Sequence, residues 1–239
     1  WQHGLFPEEW QPKLEVIHDG VDRELWQRRP VPRSIGDEDV PDDVRIVTYV
    51  SRGLEAMRGF DVFVRVAERI AAEHPDVVFA VVGADRTAYG NDLNHIEEKS
   101  FREHVLKQEK PDLSRYRFLG TLPPRQLADL LSVSDLHVHL TVPFVLSWSL
   151  LDAMACEAPI VASDTAPDRA VIRAGQEGLL APFDDVEALA ARSLAVLRDP
   201  AGHRPLAEEA RRTIDERYSL DVTFPRLWDL YTRTAGGGA

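Results

Sequence analysis

Cysteine is almost absent from this sequence, and so are long apolar runs. Cys156 is the single cysteine among 239 residues, so an internal disulfide is impossible and a thiolate metal cluster cannot form. No segment reaches the ~18 consecutive apolar residues that a membrane-spanning helix needs. The amino-terminal letters WQHGLFPEEW lack the basic-then-apolar order of a secretory signal. These absences predict a cytoplasmic protein with no transmembrane segment, in which Cys156 is a core thiol.

Positive charge is also in short supply. Lysine and arginine contribute 28 residues against 40 aspartates and glutamates, which gives a formal net charge of −12. No nucleic acid and no anionic membrane is therefore expected as a partner of the whole surface, although a local basic pocket is compatible with this balance. Neither G-x-G-x-x-G nor a Walker loop is present, so a phosphate site must be built from other groups.

What the sequence does contain is an alternation of strand and helix patterns. β-branched runs at residues 46–50 and 77–82 flank a segment whose apolar residues recur at helical spacing from Phe60 to Ile70. This order is typical of a right-handed crossover between parallel strands. We therefore predict an α/β fold, with a Rossmann-like parallel sheet flanked by helices. Further strands are predicted at residues 117–119, 136–140 and 159–162, and further helices at residues 95–108, 124–131, 185–197, 205–216 and 218–231.

Two arginines mark the first candidate site. Arg52 lies just past the first strand of this crossover, and Arg58 lies just before the helix. Ligands of parallel sheets bind at the carboxyl ends of the strands, so both cations and the helix N-terminus can converge on one diphosphate. The alternative interpretation is that the arginines form surface ion pairs, for example with Glu55 or Asp61.

Residues 141–164, TVPFVLSWSLLDAMACEAPIVASD, contain the second candidate site. Ser147 can cap a helix whose apolar positions include Leu150 and Met154, and a short buried strand follows it. Free backbone N–H groups around Ser147 and Trp148 would lie at the positive end of this helix, where phosphates bind. Asp152 adds one carboxylate on the same helix.

These letters resemble the carboxylate-bearing segment of family 4 glycosyltransferases, which have the two-lobed GT-B fold. That family usually carries Glu-x7-Glu followed by Ala-Met-Ala-x-Gly, and the resemblance covers nearly the whole chain, residues 14–231. Asp152 takes the second Glu position, whereas Phe144 takes the first and Glu157 stands where a Gly is common. In the loop that follows, Ala170 stands where a Glu is common. These departures imply either an altered specificity or a loss of activity.

The resemblance implies a role for each candidate residue. Arg52 and Arg58 would be the catalytic groups, because they would hold the donor diphosphate and stabilise the leaving nucleotide. Ser147 and Trp148 would add helix amides to this donor site, and Asp152 would hold the ribose hydroxyls. The implied activity is transfer of a sugar, with retention of configuration, from a nucleoside-diphosphate sugar to an unknown acceptor. No metal and no other cofactor is expected, since the arginines would neutralise the diphosphate.

The resemblance also implies that this chain is the C-terminal, donor-binding lobe of such an enzyme. Residues 1–40 would be the end of the N-terminal lobe and an interlobe linker, with a short strand at residues 14–18. Residues 41–217 would be the nucleotide-sugar-binding domain, and residues 218–235 a helix crossing back towards the first lobe. The N-terminal lobe of the same polypeptide would be the partner of this chain, which alone would be inactive in sugar transfer. The glycine-rich tail, residues 235–239, is predicted to be disordered.

Two loop features allow more than one interpretation. The polar stretch at residues 84–114, which includes Tyr89, either borders the nucleotide base or is a surface excursion, and we favour the excursion. Gly83 and Gly120 each follow a strand, where the backbone can approach a flat base, although turns alone explain them.

The same holds for two pairs of polar residues. His137 and His139 share one face of a strand, and we expect core histidines rather than metal ligands. Asp164 and Arg169 either contact the donor or acceptor or serve as a turn and helix cap.

Two other functions compete with sugar transfer. One is a non-catalytic nucleotide-binding or interaction lobe with a degenerate site. The other is a free-standing flavodoxin-like regulatory module, which the alternation of strands and helices alone would allow.

Overall fold

A six-stranded parallel sheet covered by helices on both faces makes up most of residues 1–236, the part of the chain that the computed structural model describes. The strands are β1 Ser34–Ile35, β2 Glu38–Asp39, β3 Arg45–Gly53, β4 Val77–Ala84, β5 Tyr116–Gly120, β6 Leu136–His139, β7 Ile160–Ser163 and β8 Leu179–Ala181. The helices are α1 Phe60–Glu73, α2 Phe101–Glu109, α3 Pro124–Ser132, α4 Trp148–Ala155, α5 Ala166–Arg169, α6 Val186–Arg198, α7 Pro200–Thr213 and α8 Leu220–Gly236. Of the tail predicted to be disordered, residues 237–239 lie outside the described residues, whereas Ala235 and Gly236 end α8.

The order of the strands creates a crevice in the middle of the sheet. The order is β5-β4-β3-β6-β7-β8, and every neighbouring pair is parallel. From β3 the chain builds outwards to β5 and then returns to the other side of β3 with β6. Because the order reverses between β3 and β6, the connections leave these two strands in opposite directions and a crevice opens between them. Ligands of such sheets bind in this crevice. The predicted Rossmann-like α/β fold is confirmed.

Helices bury both faces of the sheet. On one face, Val47 packs in a cluster with Phe63 of α1 and Leu194 of α6. On the other face, Leu131 of α3 and Met154 of α4 belong to a second cluster. Strands covered on both sides read as continuous apolar runs rather than alternating ones, which accounts for the sequence VVFAVVG in β4.

The structure differs from the sequence-based prediction in the amino-terminal part. Residues 14–18 form no strand, and Leu14 and Val16 are 37% and 48% exposed. The segment predicted to include the interlobe linker contains a β1-β2 hairpin, docked through buried Ile35 and through Arg33, which donates to the carboxylate of Asp135 at 2.5 Å. The sequence does not reveal this hairpin, because two-residue strands carry no periodic signal.

Some helix and strand boundaries further along the chain also differ from the predicted ones. Helix α7 begins before the predicted residue 205, because Asp199 caps it by accepting a hydrogen bond from the Gly202 N–H at 2.9 Å. Helix α2 begins at Phe101, where Ser100 accepts from the Glu103 N–H, rather than at residue 95. Strand β8 pairs with β7 at the edge of the sheet and was not predicted, because three residues are too few for a recognisable pattern.

The predicted core thiol and core histidines are confirmed. Cys156 is buried at the end of α4, and burial raises the pKa of its thiol to about 12. His137 and His139 are 0% and 3% exposed, and the Nδ1 atom of His137 lies 3.0 Å from the Thr48 hydroxyl. Burial lowers the pKa of His137 to about 3, so its ring is neutral in the core. Among residues 1–236, no helix is both long and apolar enough to cross a membrane.

Candidate functional site

Arg52 and Arg58 come together at the crevice between β3 and β6. Arg52 lies near the carboxyl end of β3, and Arg58 ends a short 3-10 helix, Ala56–Arg58, that precedes α1. Both contact Tyr89: the Arg52 Nη1 group donates to the Tyr89 hydroxyl at 3.2 Å, and the Arg58 guanidinium lies 5.0 Å from the centre of the Tyr89 ring. The two cations of the first candidate site therefore share one neighbour.

The alternative of surface ion pairs does not hold. Glu55 is fully buried, and its Oε2 atom accepts from the backbone N–H groups of Ala88, Tyr89 and Gly90, each at 2.9 Å. Asp61 pairs instead with Arg65 on the next turn of α1, at 2.7 Å. Within the described part of the chain, no carboxylate pairs with Arg52 or Arg58. Their positive charges are therefore left for a ligand.

Arg58 is held in place from several sides. Its side chain is 8% exposed, and its Nη1 group donates to the Thr141 hydroxyl at 2.8 Å, just past the end of β6. The Tyr49 hydroxyl donates to the Arg58 carbonyl at 2.7 Å. The next residue, Gly59, has φ of +64°, and a Cβ there would lie 2.9 Å from the Leu140 Cβ, so only glycine fits this close approach. The guanidinium is thus fixed before any ligand arrives.

Phe144, the main departure from the family pattern, lies on Arg58. The guanidinium is 5.1 Å from the centre of the Phe144 ring, and the rings of Phe144 and Tyr89 are 5.2 Å apart. The cation therefore lies against two aromatic rings, which attract it through their negative faces. Neither ring neutralises its charge.

Tyr89 was missed by the sequence analysis. The favoured surface excursion is anchored at residues 88–92, because these residues bind back to the 3-10 helix: Asp92 accepts from the Ala56 N–H at 3.1 Å, in addition to the contacts of Glu55. The available signal was topological. This loop follows β4, which is the strand next to β3, so its first residues lie beside the crevice.

The start of α4 is the second candidate site. Ser147 is at the N-cap position as predicted, but its hydroxyl bonds the Ser149 hydroxyl at 2.9 Å and accepts from no backbone N–H. The predicted capping bond is therefore wrong, and no side chain caps the first N–H groups of the helix. The Trp148 side chain is 67% exposed, and its indole N–H donates to Asp19 at 2.9 Å.

Asp152 lies one turn further along, in a cavity of about 400 Å³. Burial raises the pKa of its carboxyl to about 8. No hydrogen bond or ion pair within residues 1–236 reaches this carboxyl, and none links it to Arg52 or Arg58. The structure thus forms two groups, the arginine pair and the α4 cavity, which share no lining residue. The cavity is lined by His18, Asp19, Trp26, Trp148, Asp152 and Leu220, among others.

The remaining candidates have local explanations. Asp164 accepts from the Arg169 Nε at 2.5 Å, and this ion pair lowers the pKa of the Asp164 carboxyl, whereas no side chain caps the helix α5 that follows. A Cβ at Gly83 would lie 2.9 Å from the Ser51 carbonyl oxygen, so this glycine permits close packing of the backbone. Gly120 has φ of +63°, as turns require. Glu157 is an ion-pair partner of Arg204.

The sequence profile of the family described as Glycosyl transferases group 1 matches residues 32–214. The chain is 26% identical over 203 residues to the phosphatidyl-myo-inositol mannosyltransferase of Mycolicibacterium smegmatis, covering 83% of this chain and 47% of that protein. It is 29% identical over 237 residues to the 2-deoxystreptamine N-acetyl-D-glucosaminyltransferase of Streptomyces fradiae, covering 95% of this chain and 52% of that protein. The chain therefore spans about half the length of the curated relatives it matches.

Solved GT-B structures share the fold. Sucrose-phosphate synthase from Thermosynechococcus elongatus superposes with a TM-score of 0.82 at 22% identity, over 99% of this chain and 57% of that chain. Anabaena HepE in complex with UDP and glucose superposes with a TM-score of 0.73 at 18% identity, over 92% of this chain and 57% of that chain. Since the family profile covers most of the parallel sheet and its helices, the chain belongs to the group 1 family of glycosyl transferases.

Proposed function

We propose that this chain is the donor-binding lobe of a retaining, family 4 glycosyltransferase, which transfers a sugar from a nucleoside-diphosphate sugar to an acceptor. One observation carries the proposal. At the crevice between β3 and β6, the guanidinium groups of Arg52 and Arg58 share Tyr89 as a neighbour, and no described carboxylate neutralises either of them. A diphosphate supplies the negative charge that this arrangement lacks.

The same groups account for catalysis. When the bond between the sugar and the diphosphate breaks, negative charge develops on the leaving nucleotide. Arg58, already fixed by Thr141 and by two aromatic rings, stabilises this charge without reorganising. Arg52 is exposed and closes on the diphosphate from the other side. Two guanidinium groups supply the neutralising charge, so the proposed reaction requires no metal. No covalent carboxylate nucleophile is invoked, since Phe144 stands at the position of the first family carboxylate.

Helix α4 completes the donor site in this proposal. Its first backbone N–H groups, around Ser147 and Trp148, add positive potential for the phosphates. Asp152 accepts hydrogen bonds from the ribose hydroxyls, which would give its carboxyl the polar partners it lacks in the free chain. The mannosyltransferase and glucosaminyltransferase relatives are likewise named for the transfer of a sugar.

The acceptor pocket would lie in an N-terminal lobe of the same polypeptide. The exposed aromatic residues Phe224, Trp228 and Tyr231 of α8, which are 56%, 61% and 63% exposed, form a face against which such a lobe can pack. Residues 1–40 and 218–235 keep their proposed roles as connections to that lobe. Without it, the chain binds the donor but transfers no sugar. A cytoplasmic location, where nucleotide sugars would be available to it, is part of the same proposal.

Calorimetry with UDP, GDP and ADP in metal-free buffer tests the central claim. We expect one of the three to bind, and Arg52→Ala and Arg58→Ala each to weaken its binding at least about tenfold, as expected for charge-assisted hydrogen bonds. Arg65→Ala is the matched control, because Arg65 already has Asp61 as a partner. Unchanged affinity in both arginine variants, or no binding by the unaltered chain, would contradict the proposal.

A non-catalytic lobe with a degenerate site is the second candidate. Phe144 favours it, because this ring covers part of Arg58 where the family usually has a carboxylate. This candidate predicts weak or absent binding of all three diphosphates. The flavodoxin-like regulatory module is not retained, because the chain belongs to the group 1 family.

A further inference from the structure

Tyr89 contacts both arginines of the site, Arg52 through its hydroxyl and Arg58 through its ring. It accepts a hydrogen bond from Arg52 at 3.2 Å, while its ring lies 5.0 Å from the Arg58 guanidinium and 5.7 Å from that of Arg52. We propose that Tyr89 is a further donor-binding residue, whose O–H group donates to the diphosphate that Arg52 and Arg58 hold. This inference rests on the proposed function.

The hydrogen-bond inventory of the hydroxyl supports this role. A phenol hydroxyl carries one donor proton and can also accept. The Tyr89 hydroxyl oxygen accepts a hydrogen bond from Arg52, and its O–H group donates to no acceptor within residues 1–236. The ring is 41% exposed, so the hydroxyl can be reached from outside. A donor that already accepts from a cation is polarised, and it therefore donates more strongly to an anion.

The position of Tyr89 is fixed by the main chain rather than by its own side chain. The buried Glu55 carboxylate accepts from three successive N–H groups, those of residues 88–90, and Asp92 binds the Ala56 N–H in return. One oxygen of Glu55, Oε1, remains buried without a partner. A buried carboxylate carries a large desolvation cost, and here it is used to hold one loop over the two arginines. Such an arrangement is expected of a loop whose position matters for the site.

Two contributions of Tyr89 can be separated by substitution. Tyr89→Phe keeps the ring, and with it the contacts to both guanidinium groups and to Phe144, but removes the hydroxyl. Tyr89→Ala removes both. Tyr231→Phe is the matched control, because Tyr231 is 63% exposed on α8 and lies in neither site.

The test measures binding of the preferred nucleoside diphosphate and of the corresponding nucleoside to all three variants by calorimetry. We expect Tyr89→Phe to weaken diphosphate binding about tenfold and to leave nucleoside binding unchanged, since only the diphosphate accepts the lost hydrogen bond. Tyr231→Phe should bind as the unaltered chain does. Equal thermal unfolding of Tyr89→Phe and the unaltered chain would exclude loss of the fold as the cause.

Two results would overturn the inference and leave the proposed function standing. If Arg52→Ala loses binding and Tyr89→Phe does not, the donor site stands and the hydroxyl has no role. If Tyr89→Phe weakens the binding of the diphosphate and of the nucleoside equally, Tyr89 contacts the nucleoside instead. If the unaltered chain binds no diphosphate, both proposals fail together.

Discussion

Asp152 should make this protein less stable as the pH rises, and Asp152→Asn should remove that dependence. The carboxyl has a pKa of about 8 in the folded chain because of burial, against 3.8 when exposed to water. Between these two values the folded state holds a proton that the unfolded state has lost. The unfolding free energy therefore falls by about 1.4 kcal/mol per pH unit, and the loss ends above the folded pKa.

The magnitude follows from this slope. Between pH 6 and pH 9 the full effect is about 2.7 kcal/mol, and partial exposure of Asp152 to solvent reduces it to about 2 kcal/mol. Asparagine has nearly the same shape and does not titrate, so Asp152→Asn should gain this amount relative to the unaltered chain over the same interval. The range also avoids the isoelectric point near 5.1, where solubility is lowest.

Urea unfolding at pH 6, 7, 8 and 9 measures the difference. Asp42→Asn, at an exposed position without ion pairs in the described structure, serves as the control and should follow the unaltered chain at every pH. A constant difference between Asp152→Asn and the unaltered chain across this range would refute the reasoning, because it would mean that Asp152 titrates as an exposed carboxyl does.

Two further predictions concern residues that hold the arginine pair. Glu55→Ala should lower the unfolding free energy by about 3 kcal/mol, because three partly buried N–H groups lose their acceptor. Hydrogen exchange should speed up at residues 88–90, and unchanged exchange there would contradict the anchoring role. Tyr49→Phe removes the hydrogen bond to the Arg58 carbonyl and should cost about 1–2 kcal/mol in urea unfolding. It should also weaken diphosphate binding, and an unaffected affinity would show that Arg58 is held sufficiently by Thr141.

Most of the fold could be predicted from the sequence, because long helices and strands have strong periodic patterns of apolar residues. Strand β4 and helix α1 are examples, since each is long enough to show its pattern without help from tertiary contacts. Strand β8 and the β1-β2 hairpin could not be predicted from the sequence. Their few residues are held by pairing and docking rather than by local preference.

The candidate functional site could be predicted from the sequence only in part. Arg52 and Arg58 could be found because the carboxyl ends of parallel strands are predictable positions. Tyr89 could not, because its place depends on a carboxylate, Glu55, that binds main-chain groups far along the sequence. The Ser147 capping bond failed for a related reason, since a neighbouring hydroxyl competes for the same side chain.

Three costly features lie around the proposed donor site. Arg58 is nearly buried without a carboxylate partner, Glu55 has a buried oxygen without a hydrogen bond, and Asp152 is held in a cavity that disfavours its charge. Elsewhere in the described chain, ions such as Arg33 and Asp135 compensate one another. A site that departs locally from such pairing is expected where function, rather than stability, sets the residues. A nucleoside diphosphate would offer phosphate charge to Arg58 and ribose hydroxyls to Asp152, so its binding should offset part of the cost and raise the unfolding free energy with ligand concentration.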